Sequence, residues 1–346
     1  MSTTRYLGAM LLTILALSAV AVLLPHSTYV RYQSLNGTMF ERTRYFYERL
    51  HFDPAPVDII ILGASRAAAG ISSPHLEADL AKRGKNLRVV NLSLPAAAMD
   101  MNLVIAREAL RERPDTRMMI VLLPDAFPRQ GNAPFAELAT NGDIFANPVP
   151  WDGEWLRALG RLPMRQMQLF ARTHLPGAFG YTTRFDPALY PGTTVDRDAL
   201  PGWKPPVPQE GYHTAAHKAV VDSQSALRHR LLSPPKLPPA LSWLEYGASQ
   251  AAARKLIQLC HEKHTRLIFV YVPYYKGPQE PREAAWLRTQ APLWVETSVS
   301  SDPSLYADSG HPSSLALPVL SAWLADRIAA VLPQEAAAGV TSGGKP

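Results

Sequence analysis

A serine, a histidine and an aspartate stand in sequence contexts that suit nucleophilic catalysis. Ser65 lies two residues after Gly63, which follows the apolar run VDIIIL (57–62). Asp308 and His311 are three positions apart in YADSGHPS. A serine hydroxyl attacks an ester only when a neighbouring base takes its proton, and a carboxylate must orient that base. Ser65, His311 and Asp308 are therefore the candidate triad.

Each half of this triad also has an ordinary structural interpretation. A serine after a strand commonly caps the following helix, and an Asp-x-x-His pattern arises often by chance. Position favours catalysis in both cases. Ser65 follows the first predicted strand, where open α/β sheets bind ligands, and His311 directly precedes the last predicted helix.

The elements that would position these residues alternate along the chain. Short apolar runs rich in β-branched residues are typical of parallel strands buried on both faces. Their alternation with helical patterns predicts an α/β fold with helices covering a parallel sheet. The predicted strands are 57–62, 87–91, 118–123 and 267–272, and the predicted helices are 74–83, 99–112, 241–263, 282–290 and 313–330.

One apolar segment near the N-terminus predicts a membrane helix. Tyr6 to Leu24 contains no charged residue, and about 20 apolar residues span the hydrocarbon of a bilayer as a helix. No A-x-A cleavage site stands out, which favours an uncleaved signal anchor over a removed signal peptide. A buried core helix is the third interpretation.

The composition of the rest of the chain predicts how it is divided into segments. Residues 128–240 contain many prolines and helical patterns at 152–160, 163–173 and 216–231, without a long apolar strand. We interpret this segment as an irregular insertion that caps the sheet. The predicted organisation is a signal anchor at 1–27, a juxtamembrane segment at 28–56, an α/β domain at 57–332 that includes the insertion, and a disordered tail at 333–346.

The two indicators of membrane orientation disagree. Arg5 before the apolar segment is outnumbered by Arg31, Arg42 and Arg44 after it, which by the positive-inside rule would place the following domain inside. The very short N-terminal tail instead favours an N-terminus inside, as in a signal sequence, and large domains translocate largely regardless of charge. We expect a single-pass inner-membrane protein with its C-terminal domain in the periplasm.

The composition of the chain limits which partners, metals and cofactors are expected. The net charge is +6, but the basic residues are scattered, so nucleic acid is not expected as a partner. Cys260 is the only cysteine, which excludes an intramolecular disulfide and a cysteine-based metal cage. The histidine spacings lack a convincing acidic third ligand. No metal and no cofactor are predicted.

The motifs together resemble a known superfamily. A Gly-x-Ser block after the first strand and an Asp-x-x-His before the last helix resemble the SGNH (GDSL-like) hydrolases. ILGASRAAAGI, VVNLSLPAAAMDMN and IFVYVPYY look more narrowly like the anchored SGNH-like proteins of bacterial surface-polysaccharide modification, relatives of the alginate acetylation and DltD-like factors. The resemblance covers 57–126 and 242–332. It implies a three-layer, flavodoxin-like sheet and acyl chemistry on an envelope glycan, with a multi-pass membrane acyltransferase as a candidate partner.

Two positions depart from that family, and both concern the oxyanion hole. Ala96 stands where the family has a glycine whose N–H donates, counting from Asn91; an alanine N–H can still donate if φ is not held positive. Asp125 follows Pro124 where the family has an asparagine, and a carboxylate would repel a developing oxyanion. Either the Ser65 N–H together with Arg66 or Asn91 completes the hole, or the site is weak. A salt bridge with Asp125 is the alternative role of Arg66.

Tyr274 and Tyr275 follow the strand 267–272. They either line a substrate pocket or pack against the insertion.

The sequence leaves two classes of function open. The first is a serine esterase or O-acyltransferase acting on an envelope polysaccharide or acylated glycan. The alternative is a catalytically weak or inactive scaffold or binding protein of a polysaccharide-modification complex. A nucleotide-binding domain is disfavoured because GASRAAAG lacks the G-x-G-x-x-G spacing.

Overall fold

The computed structural model describes residues 3–146, 151–186, 209–231 and 235–332. The predicted disordered tail and the Pro-rich stretch 201–208 lie outside these residues. The strands are β1 (Ile59–Gly63), β2 (Val89–Asn91), β3 (Met118–Leu122), β4 (Arg266–Tyr271), β5 (Leu293–Val295), β6 (Tyr306–Asp308) and β7 (His311–Pro312). The α-helices are α1 (Thr3–Val22), α2 (Thr28–Tyr32), α3 (Arg42–His51), α4 (Ser65–Gly70), α5 (Ser73–Lys82), α6 (Met99–Glu112), α7 (Phe135–Leu138), α8 (Asn141–Ala146), α9 (Gly153–His174), α10 (Ala215–Leu231), α11 (Ser242–Glu245), α12 (Gly247–Glu262), α13 (Ala284–Arg288) and α14 (Ala316–Val331).

The first five strands form one parallel sheet in the order β2-β1-β3-β4-β5. The parallel α/β sheet is thus confirmed. The strand β5 was not predicted, because its three residues are too few to show a period. The strand order reverses between β1 and β3, and open α/β sheets bind ligands in the crevice at such a point.

Both faces of the sheet are covered, which explains why its strands are predominantly apolar. Ile60 and Leu62 belong to the core that includes residues of α3, α6 and α12. Ile59 and Ile61 belong to the opposite core, with α5 and α14. Because successive strand residues point to opposite faces, a sheet covered on both sides needs apolar residues throughout.

The N-terminal helix packs against α9 but leaves most of its own surface uncovered. Helix α1 is long and apolar enough to cross a membrane, and nearly all its residues are exposed. Part of the segment predicted as juxtamembrane packs onto the domain. Phe46 and Leu50 of α3 are buried in the core that includes α6.

The described part of the insertion is helical. The patterns predicted as two helices at 152–160 and 163–173 form the single helix α9, which continues through Pro163. The prediction of a break was wrong. A proline removes one helical hydrogen bond, but burial of Ala158, Leu162 and Leu169 on either side of it holds the helix together.

Candidate active site

The turn from β1 into α4 presents Ser65. Gly63 ends the strand with φ +150°, and a Cβ there would lie 2.8 Å from the Ala67 Cβ and 3.0 Å from the Leu122 Cβ. Only glycine fits this close crossing of strand and helix. Ser65 is the first residue of α4 and is half-buried, so its N–H has no acceptor within the helix.

A small hairpin presents the other two residues. Asp308 ends β6 and His311 begins the antiparallel β7. Asp308 Oδ1 accepts hydrogen bonds from the N–H groups of Gly310 at 2.7 Å and His311 at 2.9 Å, which fixes the turn. His311 Nδ1 lies 2.9 Å and 2.8 Å from the two Asp308 oxygens.

The hairpin brings His311 to the serine, although 246 positions separate them in the chain. His311 Nε2 lies 2.8 Å from Ser65 Oγ. A carboxylate can only accept, so the proton of a neutral imidazole sits on Nδ1 and the Nε2 lone pair faces the serine hydroxyl. The side chains of His311 and Asp308 remain 38% and 44% exposed, which leaves the site accessible.

Asp308 carries its charge at neutral pH. Burial alone would raise the pKa of this carboxyl, but the hydrogen bond and charge of His311 and the two backbone N–H donors hold it below its ordinary value. An ionised Asp308 stabilises the imidazolium that forms when His311 takes a proton.

Two residues predicted at the oxyanion hole form a buried salt bridge instead. The Arg66 guanidinium donates to Asp125 at 3.1 and 2.8 Å and to the Val272 carbonyl at 2.7 Å. The alternative role that the sequence left open for Arg66 is thus the one observed. Three of the five guanidinium N–H donors are engaged in this way, and a part for Arg66 in the oxyanion hole stays a prediction.

Asp125 is correspondingly not an unpaired carboxylate. Arg228 also contacts it at 3.2 Å, and the Tyr271 hydroxyl donates to it at 2.9 Å. Burial would raise the pKa of Asp125, yet the two guanidinium groups and the Tyr271 hydroxyl hold it below the usual range. The expected repulsion of an oxyanion by this residue is therefore offset by neighbouring positive charge.

Asn91 and Ala96, the two remaining candidates for the oxyanion hole, differ in whether they have a free N–H donor. Both amide hydrogens of Asn91 are used, by the carbonyls of Ala67 at 3.0 Å and Ile71 at 2.7 Å, so its side chain is not a free donor. Ala96 has φ +52°, the conformation that the sequence analysis expected to prevent donation. That condition was too strict, because a positive φ strains an alanine but leaves its N–H able to donate. Its N–H has no acceptor among the described residues. The loop that carries it is tied to the strand before Ser65, because the Leu94 N–H donates to the Gly63 carbonyl at 3.0 Å.

Tyr274 and Tyr275 do not line an open pocket. They are 0% and 1% exposed, so no ring face is free to stack on a sugar in this structure. Tyr274 lies under the Arg228 guanidinium, 5.0 Å from it, and the Tyr275 carbonyl accepts from Ser225 at 2.6 Å. Packing against the insertion, the other interpretation, is what is observed.

Sequence reasoning missed the part that helix α10 of the insertion plays at the site. Gln224 accepts a hydrogen bond from the Ser309 N–H at 3.0 Å, and His217 Nε2 contacts the Tyr306 carbonyl at 2.8 Å. Arg228 Nη1 lies so close to Gly310 that a Cβ there would be 2.6 Å from it. Helix α10 thus braces the triad hairpin and brings a cation beside it. No local signal distinguishes Arg228 from the neighbouring surface arginines.

One described group could in principle hold a metal ion. His51, Glu108 and Glu112 place their ligand atoms within 4.8 Å of one another. His51 already contacts both carboxylates, at 2.8 and 3.4 Å, and Arg111 pairs with both as well. The arrangement is a network of polar contacts that joins His51 of α3 to α6.

No family model matches the chain, and no curated protein matches it. The resemblance to SGNH hydrolases therefore stays a prediction that rests on the motifs and their geometry.

Proposed function

We propose that the protein is a membrane-anchored serine esterase or O-acyltransferase of the SGNH type, with its domain in the periplasm. The observation that carries the proposal is the continuous hydrogen-bond chain from Ser65 Oγ through His311 to Asp308, at 2.8 Å on each side of the imidazole. The strand order β2-β1-β3-β4-β5 with helices on both faces supports a three-layer, flavodoxin-like architecture.

The chemistry proceeds in two halves. Ser65 Oγ attacks the carbonyl carbon of an ester while its proton passes to His311 Nε2. The tetrahedral intermediate then collapses, the leaving oxygen takes that proton, and the acyl group remains on Ser65. Water or a sugar hydroxyl next attacks the acyl carbon, gives its proton to His311, and releases Ser65, which recovers the proton.

The negative charge on the oxygen of the tetrahedral intermediate must be stabilised by hydrogen-bond donors. The Ser65 N–H and the Ala96 N–H are the two backbone donors that we assign to it, since both lack an acceptor among the described residues and both follow carboxyl ends of neighbouring strands. Left-handed backbone at an alanine costs roughly 1–2 kcal/mol, and such strain clusters at functional sites. The Arg66 and Arg228 charges offset Asp125 nearby.

The acceptor is an envelope glycan in this proposal. That choice rests on the resemblance to polysaccharide-modification proteins and on the tether α1, which suits an acyl group handed over by a membrane acyltransferase. Fold-level likeness is an associational argument, so hydrolysis and transfer are separated by experiment. Incubating the acyl-enzyme with acetyl-accepting oligosaccharides and analysing them by mass spectrometry distinguishes the two.

Fluorophosphonate labelling of the full chain in detergent tests the activated serine. We expect labelling of the wild type and of Ser223→Ala, an exposed serine of α10, and none of Ser65→Ala or His311→Ala. A folded wild type that does not label would contradict the enzyme and favour the scaffold protein. Circular dichroism of every variant establishes that each is folded.

A further inference from the structure

Helix α9 carries a second apolar face that no described element covers. Leu156, Met164 and Met167 are 50%, 56% and 42% exposed. Their spacing places them on one side of the helix. Gly160 lies between them, and a Cβ added there would meet nothing within 4 Å.

The opposite face of the same helix packs into the core. Ala158, Leu162 and Leu169 are nearly fully buried. A surface helix of a soluble domain normally buries one apolar stripe and presents polar residues to water. Contiguous exposed apolar surface instead marks contact with a protein or a membrane.

The position of α9 relative to α1 indicates which of these it is. The Asn141 side chain donates to the carbonyl of Val22, the last residue of α1, at 2.8 Å. The Ser27 N–H donates to Thr173 Oγ1 of α9 at 3.0 Å, and α1 packs directly against α9. The C-terminal end of α1, where it would leave a bilayer, therefore lies beside α9 and beside Asn141 of α8.

The length of α1 determines where the bilayer surface would lie relative to α9. A helix of 20 residues is about 30 Å long, which is the thickness of the hydrocarbon that it would fill. The bilayer surface then lies near Val22. Because α9 packs against α1 and is itself only about 10 Å across, it lies close to that surface.

Charged residues flank the exposed stripe in the way that interfacial helices require. The side chains of Arg157 and Arg161 are 56% and 55% exposed beside it, paired with Glu154 and Glu137. Long arginine side chains keep their stems on apolar surface and their heads at the lipid phosphates. Leu175 and Phe179, 61% and 50% exposed, continue the apolar surface past the end of α9.

We propose that α9 is an interfacial helix that lies on the bilayer spanned by α1, with Leu156, Met164 and Met167 among the acyl chains. The inference rests on the membrane anchor of the proposed function. Because α9 also packs against α7 and α2 of the body, this second attachment stops the domain from rotating about α1. It holds the domain that carries Ser65 at one height above the lipid.

Site-directed spin labelling of the full chain in nanodiscs of phosphatidylethanolamine and phosphatidylglycerol tests this. Single variants Met164→Cys and Met167→Cys are labelled in the presence of native Cys260, which is buried, with wild type as the blank. Leu12→Cys in α1 and Gln258→Cys on the exposed side of α12 are the matched controls. The accessibility of each label to oxygen and to a water-soluble nickel complex is measured.

We expect the labels at 164 and 167 to resemble Leu12→Cys, with oxygen access exceeding nickel access, and Gln258→Cys to show the reverse. Labels at 164 and 167 that behave like Gln258→Cys, or that exclude both reagents, would overturn the interfacial helix while leaving the anchor intact. A nickel-accessible Leu12→Cys would overturn the anchor and this inference together.

Discussion

His311 uses each ring nitrogen for a different task, and this division decides what single substitutions should do. Nε2 faces Ser65 Oγ at 2.8 Å, and Nδ1 faces the Asp308 carboxylate at 2.8 Å. Asp308 fixes the tautomer as well as the orientation of the ring. Removing its charge therefore leaves the contacts nearly unchanged but places the imidazole proton on the wrong nitrogen.

Asp308→Asn should lower the rate of ester turnover by about 10⁴ while leaving the fold intact. The pKa of Asp308 is held below its ordinary value, so in the wild type this residue is ionised throughout the neutral pH range. The defect of the variant should accordingly persist across pH 6–9. The rate of p-nitrophenyl acetate hydrolysis, measured across this pH range for wild type and variant, tests the prediction. Recovery of the variant's rate at high pH would contradict the assigned role.

The buried pair Arg66–Asp125 should matter for stability. Breaking a buried ion pair from one side typically costs about 3–5 kcal/mol, whereas replacing both partners with apolar residues is often nearly neutral. We expect Arg66→Met alone to lower the free energy of unfolding by about that amount, and Arg66→Met with Asp125→Leu to recover most of it. Urea unfolding measures both.

The pH dependence of this pair has a definite sign. Because the pKa of Asp125 is lowered in the folded protein, its contribution to stability is present above the unfolded pKa of about 3.9 and is lost as the pH falls through the folded value. An unchanged stability in Arg66→Met at pH 7 would contradict the account.

At the scale of elements, helices α6 and α9 begin with carboxylates that face each other across Gly131. Asp100 accepts hydrogen bonds from the N–H groups of Met101 at 2.8 Å and Asn132 at 2.7 Å, and Asp152 accepts from Gly131 at 3.0 Å. Both carboxylates favour helix starts. Their proximity ties the insertion to the sheet-covering helix α6.

Burial, together with the charge of Asp152, raises the pKa of Asp100 to about 7. The folded state therefore binds a proton that the unfolded chain releases near pH 3.9, and stability falls as pH rises from about 4 to about 7. Asp100→Asn removes this titration. We expect the loss of stability between pH 5 and pH 8, measured by urea unfolding, to shrink by about 1–3 kcal/mol. Equal pH dependence in variant and wild type would refute the assignment.

At the scale of the whole molecule, the chain combines an apolar helix long enough to span a membrane, a folded body and a single thiol. Cys260 is buried in the core that covers one face of the sheet, and burial raises its pKa to about 12. Alkylation requires the thiolate and access to it. The thiol therefore reports on global opening of the domain.

Iodoacetamide should alkylate Cys260 at least about 10³ times more slowly in the folded protein than in urea, because the domain must open first and typical unfolding free energies exceed 5 kcal/mol. The rate should rise with denaturant in step with loss of circular dichroism. Rapid alkylation in native buffer would show that the core around α12 opens locally.

The sequence by itself determined the chemistry-bearing residues, the parallel strands and the apolar N-terminal helix. These features are local, because strands buried on both faces must be apolar throughout, and a bilayer-spanning helix needs one long uncharged run. Position along the α/β pattern also identified Ser65, Asp308 and His311 as one constellation.

Only the tertiary structure decided which groups those residues meet. Arg66 and Asp125 are 59 positions apart and could have served the oxyanion hole or each other; burial in contact made them a salt bridge. The same holds for Arg228, which reaches the triad hairpin from the insertion, and for Tyr274, whose burial removed it as a stacking surface. A sequence pattern encodes which face of an element is apolar, whereas the pairing of polar groups depends on contacts between distant segments that packing alone brings together.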